Sequence, residues 1–220
     1  MSISAADVKE LREITGAGMM DCKTALNECG GDKEKAKTWL REKGMASAAK
    51  RAGRVAAEGA VCSYIHMGGK IGVLVEINCE TDFVARGEKF QEMCKNICLQ
   101  ICSAAPRWVR REDVPADVIE AEKQIYIKQM PDSGKPEKIL EKIAEGKLGK
   151  FYEESCLLEQ PFVKEPKTKV GDLIKELSGQ VGEKIDVRRF ERFQLGEGIE
   201  KVKVDFAEEV AQAVAESKGN

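Results

Sequence analysis

Residues 60–83 read AVCSYIHMGGKIGVLVEINCETDF, and this stretch decides how the chain is built. Two runs, Ala60 to Met67 and Lys70 to Cys79, flank Gly68-Gly69. A glycine pair between strand-forming runs is the signal of a two-residue hairpin turn. The second run (Ile71, Val73, Leu74, Val75, Ile77) is almost wholly apolar, so it reads as a central strand and not an edge. After Cys79-Glu80-Thr81-Asp82 the period turns helical, with Phe83, Phe90, Met93, Cys94, Ile97, Ile101 and Cys102.

Upstream, residues 1–53 read as a compact helical unit. Ser4 and Asp7 have the spacing of a capping box, and Val8, Leu11 and Ile14 follow at every third position. Gly16-Ala17-Gly18 breaks that helix. A second runs from about Met19 to Cys29 and stops at Gly30-Gly31. Asp32 caps a third, with Ala36, Trp39 and Leu40 on one face and Gly44 at its end. From Met45 to Gly59 the composition shifts to Ala, Gly, Lys and Arg, a basic helical linker.

Downstream, helices are expected near 113–130 and 136–154, the second opened by Pro136. Pro161 and Pro166 bracket a loop. Val170 to Val181 is amphipathic, and Ile185 to Phe193 and Val202 to Val204 read as strands. A helix from Asp205, with Phe206, Val210 and Val214 on one stripe, closes the chain. Strands and helices cluster instead of alternating, which predicts an α+β fold with an antiparallel sheet. The expected organisation is a helical module (1–53), an α+β core and dimerisation domain (54–204) and a C-terminal helix (205–220).

The totals exclude much. Of 220 residues, 36 are basic and 38 acidic, for a net charge of −2, too little to attract a polyanion or a membrane surface. No run of about 18 apolar residues is present, so no membrane span is expected. Met1 is followed by a helical pattern and not by a basic–apolar leader, so the eight cysteines read as reduced thiols of a cytoplasmic protein.

His66 is the only histidine. Opposite Ile71 across the turn, it lies eight residues of strand from Cys79, roughly 26 Å at the usual rise. Cys62, four residues back along the same strand, is still roughly 13 Å away. Neither pair can transfer a proton, so a cysteine enzyme is not expected. Cys94, Cys98 and Cys102 recur at every fourth position. They read either as a thiolate metal or redox site or as a core stripe of small hydrophobes. No Cys-x-x-Cys pair and no phosphate-binding loop occurs, so neither metal, cofactor nor bound nucleotide is expected. The basic residues of 45–54, Lys50, Arg51 and Arg54, can touch RNA or form a solvated helix face. No aromatic stacking platform lies near them.

Thr81-Asp82-Phe83 admits two readings. Thr81 or Asp82 caps a helix while Phe83 packs inward, or the strand–helix corner presents one acid and one ring to a partner. Met19-Met20 is likewise core filler or an adaptable interface.

The segment from Leu11 to Lys23 (LREITGAGMMDCK) and that from Cys79 to Arg86 (CETDFVAR) closely resemble the two signatures of the elongation factor Ts family. So do Gln160-Pro161-Phe162-Val163, Gly196-Glu197-Gly198-Ile199-Glu200 and Asp205-Phe206-Ala207-Glu208-Glu209-Val210, and the resemblance runs essentially the whole length. It implies a ubiquitin-associated-like (UBA-like) N-terminal module and a non-enzymatic exchange factor that releases GDP from elongation factor Tu. It implies that Thr81, Asp82, Phe83 and Val84 enter the partner near its magnesium site. Leu11, Met19 and Met20 of the module, and Phe206 and Val210 of the last helix, would grip the same domain. His66 would be a further contact.

The chain departs from the family's long form, which carries two core subdomains. Here the Tyr64-Ile65-His66 hairpin runs directly into the Thr-Asp-Phe signature, as in the short members, which act as homodimers. His66 and Phe83 are expected at opposite ends of one hairpin. If both touch one partner site, two protomers contribute to it.

Overall fold

The computed structural model describes residues 3–129 and 137–199. Helices α1 (Ala5–Thr15), α2 (Met19–Glu28) and α3 (Lys33–Arg51) open the chain. The capping box at Ser4 forms: its hydroxyl accepts from the Asp7 N–H at 3.2 Å and the Asp7 carboxylate accepts from the Ser4 N–H at 3.2 Å. That bonding, with Lys33 beside it, holds the Asp7 carboxyl below its usual range. Asp32 caps α3 through the Lys35 N–H. Val8, Leu11, Cys22, Ala25, Leu26, Ala36 and Leu40 close a small core between the three helices. Gly44 does not end the third helix; α3 runs unbroken to Arg51 and takes in residues 45–51 of the predicted linker.

Strands β1 (Glu58–His66) and β2 (Ile71–Cys79) pair antiparallel, with His66 opposite Ile71 and Glu58 opposite Cys79. The expected register holds, but the turn is longer than two residues. Met67 to Lys70 form the loop, Met67 and both glycines take left-handed φ, and the Gly69 and Lys70 N–H groups both donate to the His66 carbonyl. Past β2 the predicted single helix is two, α4 (Asp82–Arg86) and α5 (Glu88–Ala104), because Gly87 is extended between them.

Helices α6 (Ala116–Lys128) and α7 (Glu137–Ser155) pack together over Val114, Leu148, Phe151 and Cys156, with Trp108 alongside. The 161–169 loop holds a short hairpin, β3 (Pro161–Phe162) with β4 (Glu165–Lys169). Helix α8 (Val170–Val181) and strand β5 (Asp186–Gln194) follow, and β5 joins the sheet in the order β1-β2-β5. β2 is therefore central, as its composition predicts. Its Val73, Val75, Ile77 and Cys79 pack on the buried stripe of α5 and on Val170, Ile174 and Leu177 of α8. The architecture is mixed α+β, with an N-terminal helical unit and an antiparallel sheet core. Pro136, the Val202 to Val204 strand and the closing helix with Phe206 and Val210 lie outside the described residues.

Candidate functional site

The corner between β2 and α4 is built by hydrogen bonds from every side. Thr81 caps α4, its hydroxyl oxygen accepting from the Val84 N–H at 3.3 Å. The same hydroxyl donates to Glu183 Oε1 at 2.7 Å, while Glu183 Oε2 accepts the N–H groups of Glu80 and Thr81 at 3.1 and 3.0 Å. Glu80 answers in the other direction: its carboxylate accepts the Lys184 N–H at 2.6 Å and pairs with Arg54 at 3.3 Å. Those two contacts, the backbone one first, lower the Glu80 pKa. Behind the corner, Cys79 is buried and its thiol donates to the Thr81 carbonyl. Burial, and then the Glu183 charge, push the Cys79 pKa up.

Phe83 stands 84% exposed on this corner, while Ala85 turns inward. Of the two readings, the cap forms and the ring does not pack inward. Asp82 is exposed and ion-pairs with Arg86 one turn on, at 2.9 Å. Such a pair is worth only a few tenths of a kcal/mol on an exposed helix, so its charge is easily redirected. Val84 is half-buried against the core.

Met19 and Met20 are both exposed, Met20 by 71%, in the first turn of α2. The preceding Gly16 packs against Lys89 of α5, whose ammonium donates to Gln180 of α8 at 3.1 Å. The methionine turn and Phe83 thus flank the same end of α5. Leu11 is different. At 1% exposure it belongs to the core of the module, where it holds α1 in place and cannot meet a partner while the helices stay packed.

His66 lies at the loop end of the hairpin, its Nδ1 3.0 Å from the Tyr64 hydroxyl. Phe83 follows the other end, beyond Cys79, so one protomer does not bring the two together.

The Cys94, Cys98 and Cys102 stripe is core packing, with Cys98 1% exposed. Burial pushes the Cys98 thiol up to about 12 and raises Cys94 as well, so neither supplies a thiolate. Among the described residues no group of three or more potential metal ligands occurs. Arg51 and Arg54 of the basic segment are used internally, on the Ser178 carbonyl and on Glu80.

Two features escaped the sequence reading. Glu183 gave no local signal. The outer face of the sheet did, since Val61, Ile65, Leu74 and Phe193 are apolar in the outward phase of their strands and all are exposed.

The chain matches the family model described as Elongation factor TS over residues 32–197, from the start of α3 past the end of β5. It is 61% identical to the elongation factor Ts of Anaeromyxobacter sp. (strain Fw109-5) over 216 residues, covering 98% of this chain and 99% of that protein. The chain belongs to the elongation factor Ts family. It is also 62% identical to the elongation factor Ts of Desulforamulus reducens, over 96% of this chain and 98% of the relative. To that of Geobacter sulfurreducens it is 59% identical, over 97% and 99%. Family membership assigns the chain to protein biosynthesis, at translation elongation. The Thr81–Phe83 corner lies inside the matched span. Among the described residues no helix is long and apolar enough to cross a membrane.

Proposed function

We propose that the chain is a guanine-nucleotide exchange factor that binds elongation factor Tu and promotes release of GDP, with Asp82 and Phe83 entering near the partner's magnesium site. The observation that carries this reading is the 84% exposure of Phe83 on a corner braced by Thr81 and Glu183. A phenylalanine left in water forgoes about 1.5–3 kcal/mol of burial, which a partner can supply. Bound GDP depends on phosphate contacts and on magnesium, a hard ion that demands near-ideal oxygen geometry. A ring wedged beside that site displaces its ligands, and the Asp82 carboxylate perturbs the charge next to the metal. Because binding is reciprocal, a factor that prefers the nucleotide-free partner weakens GDP by the same ratio. No substrate bond breaks, so this is exchange and not enzymatic turnover.

Met19 and Met20, beside the same end of α5, add adaptable apolar area for grip on the partner. Phe206 and Val210 are assigned to the same role by the family resemblance. A second copy of the chain covers the outer sheet face. Ile65, Gly72 and Phe193 align across the three strands, Leu74 lies beside them, and Phe193 is 68% exposed. A contiguous apolar face of this kind marks a protein interface. Dimerisation also lets His66 of one protomer and Phe83 of the other serve one partner. The cytoplasm is the proposed compartment. An RNA-binding role for 45–54 has less support, because Arg51 and Arg54 are bonded within the chain.

The test is capture of elongation factor Tu by the immobilised chain, with and without excess GDP. Capture that GDP weakens is expected; capture indifferent to GDP, or none, overturns the reading.

A further inference from the structure

We infer that Glu183 is a positioning residue for the Thr81–Phe83 corner, and that through it the docking of α3 on α8 sets where Phe83 is held; this rests on reading the corner as the exchange element.

The corner has little to fix it by itself. α4 is five residues long, too short to persist without tertiary support, and its Phe83 side chain has almost no packing. The contact that clamps both the backbone and the capping hydroxyl at the start of α4 is one carboxylate. Glu183 takes three hydrogen bonds, from two successive backbone N–H groups and the Thr81 hydroxyl. Charge-assisted bonds of this type are short and directional. Because the Thr81 hydroxyl gives its proton to Glu183, its lone pairs face the Val84 N–H, so clamp and helix cap share one oxygen. Glu80 and the Lys184 N–H complete a reciprocal exchange between the two segments.

Glu183 is itself fixed from the far side. It follows the left-handed Gly182 that ends α8, and the Ser178 hydroxyl donates to its carbonyl. α8 is seated on α3 through the Gly44–Gly179 contact and the Arg51 guanidinium on the Ser178 carbonyl at 3.4 Å. Lys184 Nζ donates to the Arg54 carbonyl at 3.0 Å, just beyond α3. An unbroken path of packed backbone and hydrogen bonds therefore joins the helical module to the corner. A small shift in a reacting group can cost far more rate than the broken bond is worth in stability.

The experiment measures partner-stimulated release of labelled GDP as a function of factor concentration, separating the maximal rate from the half-saturating concentration. Wild type, Phe83→Ala, Glu183→Ala, Glu183→Gln, Thr81→Ala and the Thr81→Ala/Glu183→Ala double variant are compared. Glu183→Ala is expected to lower the maximal rate roughly tenfold, with half-saturation changed less than about twofold. Glu183→Gln keeps an oxygen that accepts backbone N–H and is expected to fall only about threefold, a partial rescue. The double variant is expected to be no slower than the slower single variant. A merely structural role would lower thermal stability and leave this split and this non-additivity unmoved.

Glu183→Ala at the wild-type maximal rate, with Phe83→Ala slow, overturns the inference and leaves the corner reading intact. Phe83→Ala at the wild-type rate overturns the corner reading itself. Should Glu183→Ala fail to fold, Glu183→Gln decides: a wild-type maximal rate overturns the inference and a reduced one supports it.

Discussion

Gly44 of α3 and Gly179 of α8 meet backbone to backbone: a Cβ on Gly179 would lie 2.7 Å from the Gly44 Cα. A side chain on Gly179 would run into the backbone of α3, whereas a Cβ on Gly44 would find ordinary contact 3.6 Å from the Gly179 Cα. Replacing a helical glycine by alanine ordinarily favours the helix by about 0.5–1 kcal/mol. At Gly179 the obstacle is backbone, which cannot swing aside, so the helices must separate. Gly179→Ala is expected to destabilise by about 1–3 kcal/mol in urea unfolding. Gly146→Ala, in α7 with open space around it, is the control and is expected to be neutral or stabilising. Equal behaviour of the two variants would contradict the close-contact account.

The outer sheet face gives a second expectation. Phe193→Lys places a charge on the apolar patch of an edge strand without touching the core. By light scattering the wild type is expected at twice the chain mass and Phe193→Lys at the single-chain mass. Its stimulated exchange is expected to fall with dimerisation. A monomeric variant with full exchange activity would remove the shared-site idea.

Much of this frame was legible in the sequence because it is local. The Ser4 box and the Asp32 cap need only three residues of spacing. The central place of β2 shows in its own apolar run. Other features depend on distant partners. Thr81 and Glu183 are 102 residues apart, and no window of sequence links them. Gly44 has the look of a helix end because glycine often caps; it lies inside α3 and supplies the backbone surface that Gly179 meets. Phe83 falls on the helical period of Phe90 and Met93 in the sequence, which leaves its two readings open; Gly87, extended between α4 and α5, takes it off that phase. The outward phase of Leu74 was hidden by the apolar residues on either side.

Glu76 provides a pH signature. Its carboxylate accepts Arg188 Nη1 and Arg189 Nε, each at 2.7 Å, and these bonds draw its pKa down from 4.5 to about 2. A depressed folded-state pKa stabilises fully above the unfolded value and is lost as pH falls toward the folded one. The stability gap between wild type and Glu76→Gln is therefore expected to be constant near neutrality. It should close as pH falls from 4.5 toward about 2. A gap that persists to the lowest pH would show that the two arginines do not act on the ionised group.

The cysteines divide by burial. Cys29 and Cys62 are partly exposed, and the other six are buried. Alkylation at pH 8 is expected to label those two first and the rest only on adding denaturant, with Cys98, pushed up to about 12, among the slowest. Rapid native labelling of Cys94 or Cys98 would revive a reactive role for the stripe.

The central claim concerns one ring, and the most direct measurement is stopped-flow release of labelled GDP from elongation factor Tu driven by wild type or Phe83→Ala. Because Phe83 is exposed, its removal leaves the fold and its melting temperature nearly unchanged. The account predicts stimulated release slowed by roughly tenfold or more, the loss of an apolar contact of about 1.5–3 kcal/mol made at the exchange step. Stimulated release at the wild-type rate would contradict it.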